Sequence, residues 1–240
     1  MSFASSSARA LAPLRRPAAQ ASRSYGASTR QVHPSITASE AQEFLSHTLQ
    51  LPSSAAIPEQ LALQTLTHKS YQFVHRMSHP PPYTAAEIEQ GQASHNARLA
   101  FLGRRAIGAY QAMFIHSALG TSEAVRQADL LRGRDIESML AALRHYNNLG
   151  LLVGDKWKVG DVMRWDRAET GREGGHLKVK GMTVEAIIGA VFTHHGSPAA
   201  QRAYHLHVLP LLSAQLRDPM LKEAAQRVAQ SVKSVGVVSA

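Results

Sequence analysis

The sequence has no cysteine, which excludes disulfides and any thiolate metal site. Aromatic residues make up only 6% of it, too few for a surface built mainly of base-stacking platforms. No apolar run reaches the roughly 18 residues that a membrane-spanning helix needs. Acidic residues are missing from the first 39 positions, where Arg9, Arg15, Arg16, Arg23 and Arg30 stand among serines and alanines. That lopsided charge excludes a packed domain with balanced surface pairs in this stretch and gives it the composition of a targeting segment.

What is present is a basic, alanine-rich chain with enough apolar residues for a core. Hydrophobic residues are 44% of the 240 positions, which supports one substantial domain. Lys+Arg 26 against Asp+Glu 17 leaves a net charge of +9, and such a surface favours polyanions through counterion release. At the amino end, Phe3, Leu11 and Leu14 gather on one side of a short helix with Arg15 and Arg16 at its edge, as in a mitochondrial presequence. Arg23-Ser24-Tyr25 resembles a matrix-peptidase site, so residues 1–25 are read as a presequence, the mature start falls near Gly26, and the mitochondrial matrix is the expected compartment. A basic arm that itself threads into RNA is the competing reading.

Helical spacing organises the rest. Ala41, Phe44, Leu45 and Leu49 follow Thr37 at i, i+3, i+4 intervals and end at Leu51-Pro52, giving residues 26–57 as an extension with one helix. A second helix starts near Pro58. Tyr71 to Glu89, with Pro80-Pro81-Pro82, reads as a rigid connector. His95 to Leu119 is apolar on more than one face and is the expected central helix. Further helices are expected from Thr121, from Arg134 to Asn147, and after Ser197-Pro198, where serine caps and proline takes the first helical position. Pro210 should kink that last run. Leu221, Ala225 and Val228 mark a helical tail over 217–240. No strand pattern appears, so the fold is all-α.

Gly154 to Lys180 reads as a flexible, glycine-rich basic loop. Its Lys156, Lys158, Arg164, Arg167, Arg172, Lys178 and Lys180, together with Arg105, are the candidate RNA-backbone contacts. Five acids in the same stretch, from Asp155 to Glu173, leave a solvated connector as an equal alternative. His194-His195 and His205-x-His207 are dense histidine pairs without an H-E-x-x-H pattern, so surface or capping roles are expected rather than a metal site.

The most informative stretch runs His95-Asn96-Ala97-Arg98-Leu99-Ala100-Phe101-Leu102-Gly103-Arg104-Arg105-Ala106-Ile107-Gly108. It resembles the signature helix of the ribonuclease III family, roughly H-N-E-R-L-E-F-L-G-D-S-V-L. Leu66-Thr67-His68-Lys69-Ser70-Tyr71 is similar to the family's early L-T-H-x-S-Y element, and Met182 to Ala190 to its D-x-x-E-A-x-I-G-A segment. Asn148-Leu149-Gly150-Leu151, with the glycine-spaced stretch that follows, resembles the connector before that second segment. The four elements come in the family's order and cover roughly 60–216, so residues 58–216 are assigned to a ribonuclease III-like domain. The 217–240 tail is too short for the double-stranded-RNA-binding domain that many members carry.

The resemblance implies magnesium held by four carboxylates at positions 100, 104, 182 and 185, which activate a water against phosphorus. Here those positions are Ala100, Arg104, Met182 and Glu185. Three of the four acids are gone, so no catalytic residue, metal or cofactor is expected, and the guanidinium of Arg104 is expected to pair with Glu185 in the ion's place. Phe101, Leu102, Ile107, Ile187, Ile188, Val191 and Phe192 are expected in the core. Gly103 and Gly189 should let helices approach, and His68 and Ser70 should make buried hydrogen bonds. The implied role is structural: a mitochondrial large-subunit ribosomal protein that contacts ribosomal RNA and neighbouring ribosomal proteins and pairs with a second ribonuclease III-like protein. A subunit of an RNA-processing endoribonuclease and a ribosome assembly factor are the alternatives.

Overall fold

A computed structural model describes residues 36–71, 94–121, 136–166, 173–216 and 218–238. The presequence, the proline connector, the start of the helix expected after Thr121, and Arg167 and Arg172 lie outside the described residues. Those described residues are mostly helical and contain no strand; a single parallel bridge joins Thr67 to Arg164. None of their helices is long and apolar enough to cross a membrane.

Helix α1, Ala38–Leu49, opens on a full capping box: the Glu40 backbone donates to the Thr37 hydroxyl and the Thr37 backbone donates to the Glu40 carboxylate. Such a cap satisfies two otherwise orphaned amides. Ala41, Leu45 and Leu49 on its inner face are fully buried and pack toward α2, Glu59–Leu66. Residues 32–240 form one compact unit.

Two long helices carry the core: α3, Ala97–Thr121, and α5, Glu173–Ala203, which cross in extensive contact. Between them in sequence lie α4, Ile136–Leu143, and a helical stretch from Tyr146 that relaxes into a π-helical turn over Leu149–Gly154. The single helix expected over 134–147 is thus broken. His145 is extended, at φ −60 and ψ 137, and its ring accepts from the Asn147 amide as a new N-cap.

Helix α5 is interrupted at Gly196, whose φ of 81 and ψ of 176 no L side chain adopts comfortably. Ser197-Pro198 restarts the run, and the Tyr110 hydroxyl bonds to Ser197 to hold the break against α3. The expected disturbance at Pro210 is absorbed upstream, where Tyr204–Val208 opens into a π-helical turn before α6, Leu209–Ser213. Helix α7, Pro219–Lys233, is capped by the Asp218 carboxylate, which accepts from Met220 and Leu221, and it buries Leu221, Ala224 and Ala225.

The basic-loop reading of 154–180 needs correction. Residues 159–162 form a helical turn, and residues 173–180 are the first turns of α5. Apolar Val159, Met163, Trp165 and Val179 anchor the segment in the core, and glycines in and beside it serve packing: a Cβ on Gly154 would lie 3.2 Å from the Lys180 Cβ, one on Gly150, just before the segment, 2.1 Å from the Leu177 carbonyl oxygen, and one on Gly181, just after it, 1.8 Å from the Tyr146 oxygen.

Candidate functional site

The crossing of α3 and α5 is set by two glycines. A Cβ on Gly103 would lie 1.8 Å from the Glu185 carbonyl oxygen, and one on Gly189 would lie 2.1 Å from the Leu99 oxygen. Each helix rests its backbone in the notch of the other, and no larger residue permits that approach. Positions 100 and 104 are one turn apart on α3, and 182 and 185 about one turn apart on α5. The contact at Gly103 and Glu185 then brings Arg104 to Glu185.

At this crossing Arg104 makes a two-pronged ion pair. Its Nε donates to Glu185 Oε1 and its Nη2 to Oε2, both at 2.9 Å. The Glu185 side chain is 2% exposed, that of Arg104 47%. Burial pushes the Glu185 carboxyl above its ordinary value while the Arg104 fork works the other way. The hydrogen bonds from Arg104 in turn raise the guanidinium, which stays charged at any working pH. Parallel charge-assisted bonds of this kind hold both planes in one orientation.

The four positions do not fit a magnesium site. Ala100 is a buried methyl, Met182 offers a soft thioether, and both oxygens of Glu185 are engaged by a cation standing where a hard ion would need anionic oxygen. Among the described residues, no cluster of three or more histidine, aspartate or glutamate side chains could hold a metal ion. The chemistry this arrangement offers is a fixed, half-exposed guanidinium over a buried carboxylate.

The remaining predicted residues scatter. Lys156, Lys158 and Lys178 are exposed and Arg164 half-buried; Lys178 stands 5.5 Å over the Tyr146 ring and Arg164 4.2 Å over the Tyr71 ring. Lys180 departs from expectation: it is 7% exposed and pairs with Asp155, tying the turn after Gly154 to α5. It is a structural cation, not a free RNA contact. Phe101, expected in the core, is 62% exposed, with the Arg105 guanidinium 5.3 Å over its ring. The helical period places position 101 a quarter-turn from buried Ala100. Phe192 and Leu102 are only partly buried, whereas Ile107, Ile187, Ile188 and Val191 are in the core.

His68 and Ser70 join the end of α2 to the segment around Arg164. The Ser70 amide donates to His68 Nδ1 and its hydroxyl lies 2.8 Å from the same nitrogen, while Asp166 donates its amide to that hydroxyl. Backbone bonds from Arg164 to Leu66 and from His68 to Arg164 complete the clasp. Burial first, then nearby Lys69, His95 and Lys178, push the His68 ring down to about 4. His195 and His207 bond through Nε2 to the Ala55 and Leu49 carbonyls, 2.9 and 3.1 Å away.

The sequence profile described as ribonuclease-III-like matches residues 58–212. Among solved structures, the nuclease domain of ribonuclease III from Campylobacter jejuni aligns at 19% identity and a TM-score of 0.49, covering 73% of this chain and 96% of that one. A second structure of that domain, concerned with flexibility in its region involved in dimer formation, aligns at 20% identity and 0.47, covering 73% and 99%. No curated protein matches the sequence.

Proposed function

The chain belongs to the ribonuclease-III-like family, and from that premise we propose that it is a non-catalytic, RNA-binding structural component of the mitochondrial large ribosomal subunit, paired with a second protein of the same fold. One observation carries the reading: the Arg104 fork on Glu185, at the point where the family's carboxylates would hold magnesium. A permanent cation locked onto the last carboxylate removes the ligand set that would activate water, and leaves a positive group facing solvent. The net charge of +9 favours an RNA partner. Exposed Phe101 on the signature helix supports a protein partner there, since a large apolar side chain held in water is stabilised when a second surface covers it. The acid-free, arginine-bearing amino end supports import into the matrix.

The test is sedimentation of mitochondrial lysate through a high-salt gradient, with this chain quantified across fractions and purified protein assayed on double-stranded RNA with magnesium. Stoichiometric retention on the large subunit and no cleavage are expected. Release into light fractions would make it a transient RNA factor. Magnesium-dependent cutting abolished by Glu185→Ala would make it a nuclease.

A further inference from the structure

On α1 and the segments packed beside it lies a groove of about 640 Å³ that involves neither Arg104 nor Glu185. Phe44 of α1, Trp157 and Leu206 give it an apolar floor, each half-buried. Lys156 and Lys158, exposed and flanking Trp157 in sequence, stand at its rim with one opposing acid, Asp161. Two lysines against one carboxylate leave the rim positive.

Two independent observations mark the groove. Gln50 and Lys158 are the only non-glycine residues with positive φ among the described ones, at 53° and 55°, and both line it. Gln50 is the left-handed cap that ends α1 and Lys158 the cap that opens the helical turn 159–162, so each places a long polar side chain at a helix end on the groove. The second is His207. Half-buried in the lining, it donates from Nε2 to the Leu49 carbonyl 3.1 Å away, which ties the end of α1 to the opposite wall of the groove.

We propose that this groove takes an unpaired RNA nucleotide, with the base against Trp157 and Phe44 and the adjoining phosphates on Lys156 and Lys158. The proposal rests on the RNA-binding reading above and narrows it to a single-stranded element. A flat base suits an aromatic floor, because every base offers a π face to stack. Unpaired nucleotides are the form in which RNA bases are free to do so. The volume is that of a small-ligand pocket. An amphipathic peptide helix needs anchors at i, i+3 or i+4, and i+7, over a longer trough.

The full chain is titrated with a short oligoadenylate and, separately, with an RNA duplex, following tryptophan emission and affinity across salt. Trp165 is 7% exposed and stacked on His176, so quenching reports Trp157. Trp157→Leu keeps the floor apolar but removes the stack. Lys158→Gly removes a cation at a position whose φ favours glycine, so lost binding there is not lost folding. The expected result is quenching by the oligoadenylate, about tenfold weaker single-strand binding in Trp157→Leu, and a salt slope lower by about 0.7 in Lys158→Gly, with duplex binding unchanged.

Single-strand affinity unaltered in both variants overturns the proposal, as does equal loss for single strand and duplex, which would make the groove part of a general polyanion surface. Quenching by an acidic peptide in place of RNA would assign the groove to a protein. Duplex binding without single-strand quenching sinks the groove alone, whereas no binding of either RNA sinks the RNA reading with it.

Discussion

Arg104 and Glu185 set a residue-scale test. Removing one partner of a buried pair strands the other charge; because Arg104 is half-exposed and water reaches it, the full buried-pair cost is discounted. Arg104→Ala should destabilise the chain by about 2 kcal/mol in urea unfolding. Its pH dependence is more telling. Without the fork, the folded-state pKa of Glu185 rises further above its unfolded value, so this group's contribution is fully present below the unfolded pKa and is lost as pH rises through the folded one. The deficit should therefore be larger near pH 8 than near pH 5; equal deficits would mean that Glu185 is not desolvated in the folded chain.

His68 titrates with the opposite sign. Its folded pKa of about 4 lies below the ordinary 6.5, so its contribution is present above 6.5 and is lost as pH falls toward 4. Protonation would also break the acceptor role of Nδ1 toward the Ser70 amide. About 3 kcal/mol of acid sensitivity is expected over that window. His68→Gln should flatten the acid limb of the stability curve; an unchanged limb would place the sensitivity elsewhere. The L-T-H-x-S-Y pattern made His68 and Ser70 legible in the sequence. Asp166 was not, because its amide reaches Ser70 from a distant segment and backbone donors leave no side-chain signature.

At the scale of elements, α3 carries two glycines with opposite expected behaviour. Gly103→Ala would drive a methyl into the Glu185 backbone, which cannot yield as a side chain can, and should cost 3 kcal/mol or roughly more, at or above the usual range for overpacking. Gly108 has only the Arg144 side chain within 4 Å of its Cβ direction, at 3.8 Å or more. Gly108→Ala should stabilise by about 0.5–1 kcal/mol through helix propensity alone. Thermal unfolding of the two single variants decides this: two changes of the same sign would show that backbone contact does not govern the crossing. The same geometry explains why the 154–180 segment misled. Its glycines read as flexibility in one dimension, whereas Gly154 and Gly160 lie against Lys180 and His176 of α5, and Gly150 and Gly181 just outside its ends seat carbonyls of another helix.

For the whole molecule, the carboxyl-terminal segment tests what counts as the domain. Helix α7 buries Leu221, Ala224 and Ala225, and the Arg202 Nε donates to the Val237 carbonyl at 2.9 Å. A chain ending at Leu216 should therefore lose several °C of Tm and expose apolar surface to a dye, although the family-like segment is intact. A truncated chain that melts with the full one would make 217–240 a dispensable tail.

The sequence by itself determined most of the helices, the starts at Thr37 and Ser197 and the loss of the acids. Those rest on local rules: the 3.6-residue period, Thr37 three positions before Glu40, Ser197 before Pro198, and side-chain identity at positions 100, 104 and 182. Only the tertiary structure decided which charges meet and which surfaces remain open. Lys180 and Lys178 are two residues apart and chemically alike, yet one is sealed against Asp155 and the other stands over Tyr146 at the surface. Phe101 adjoins buried Ala100 yet faces water. Such outcomes follow from how closely two helices approach, and two glycines set that distance through backbone contacts between residues some eighty positions apart in the chain.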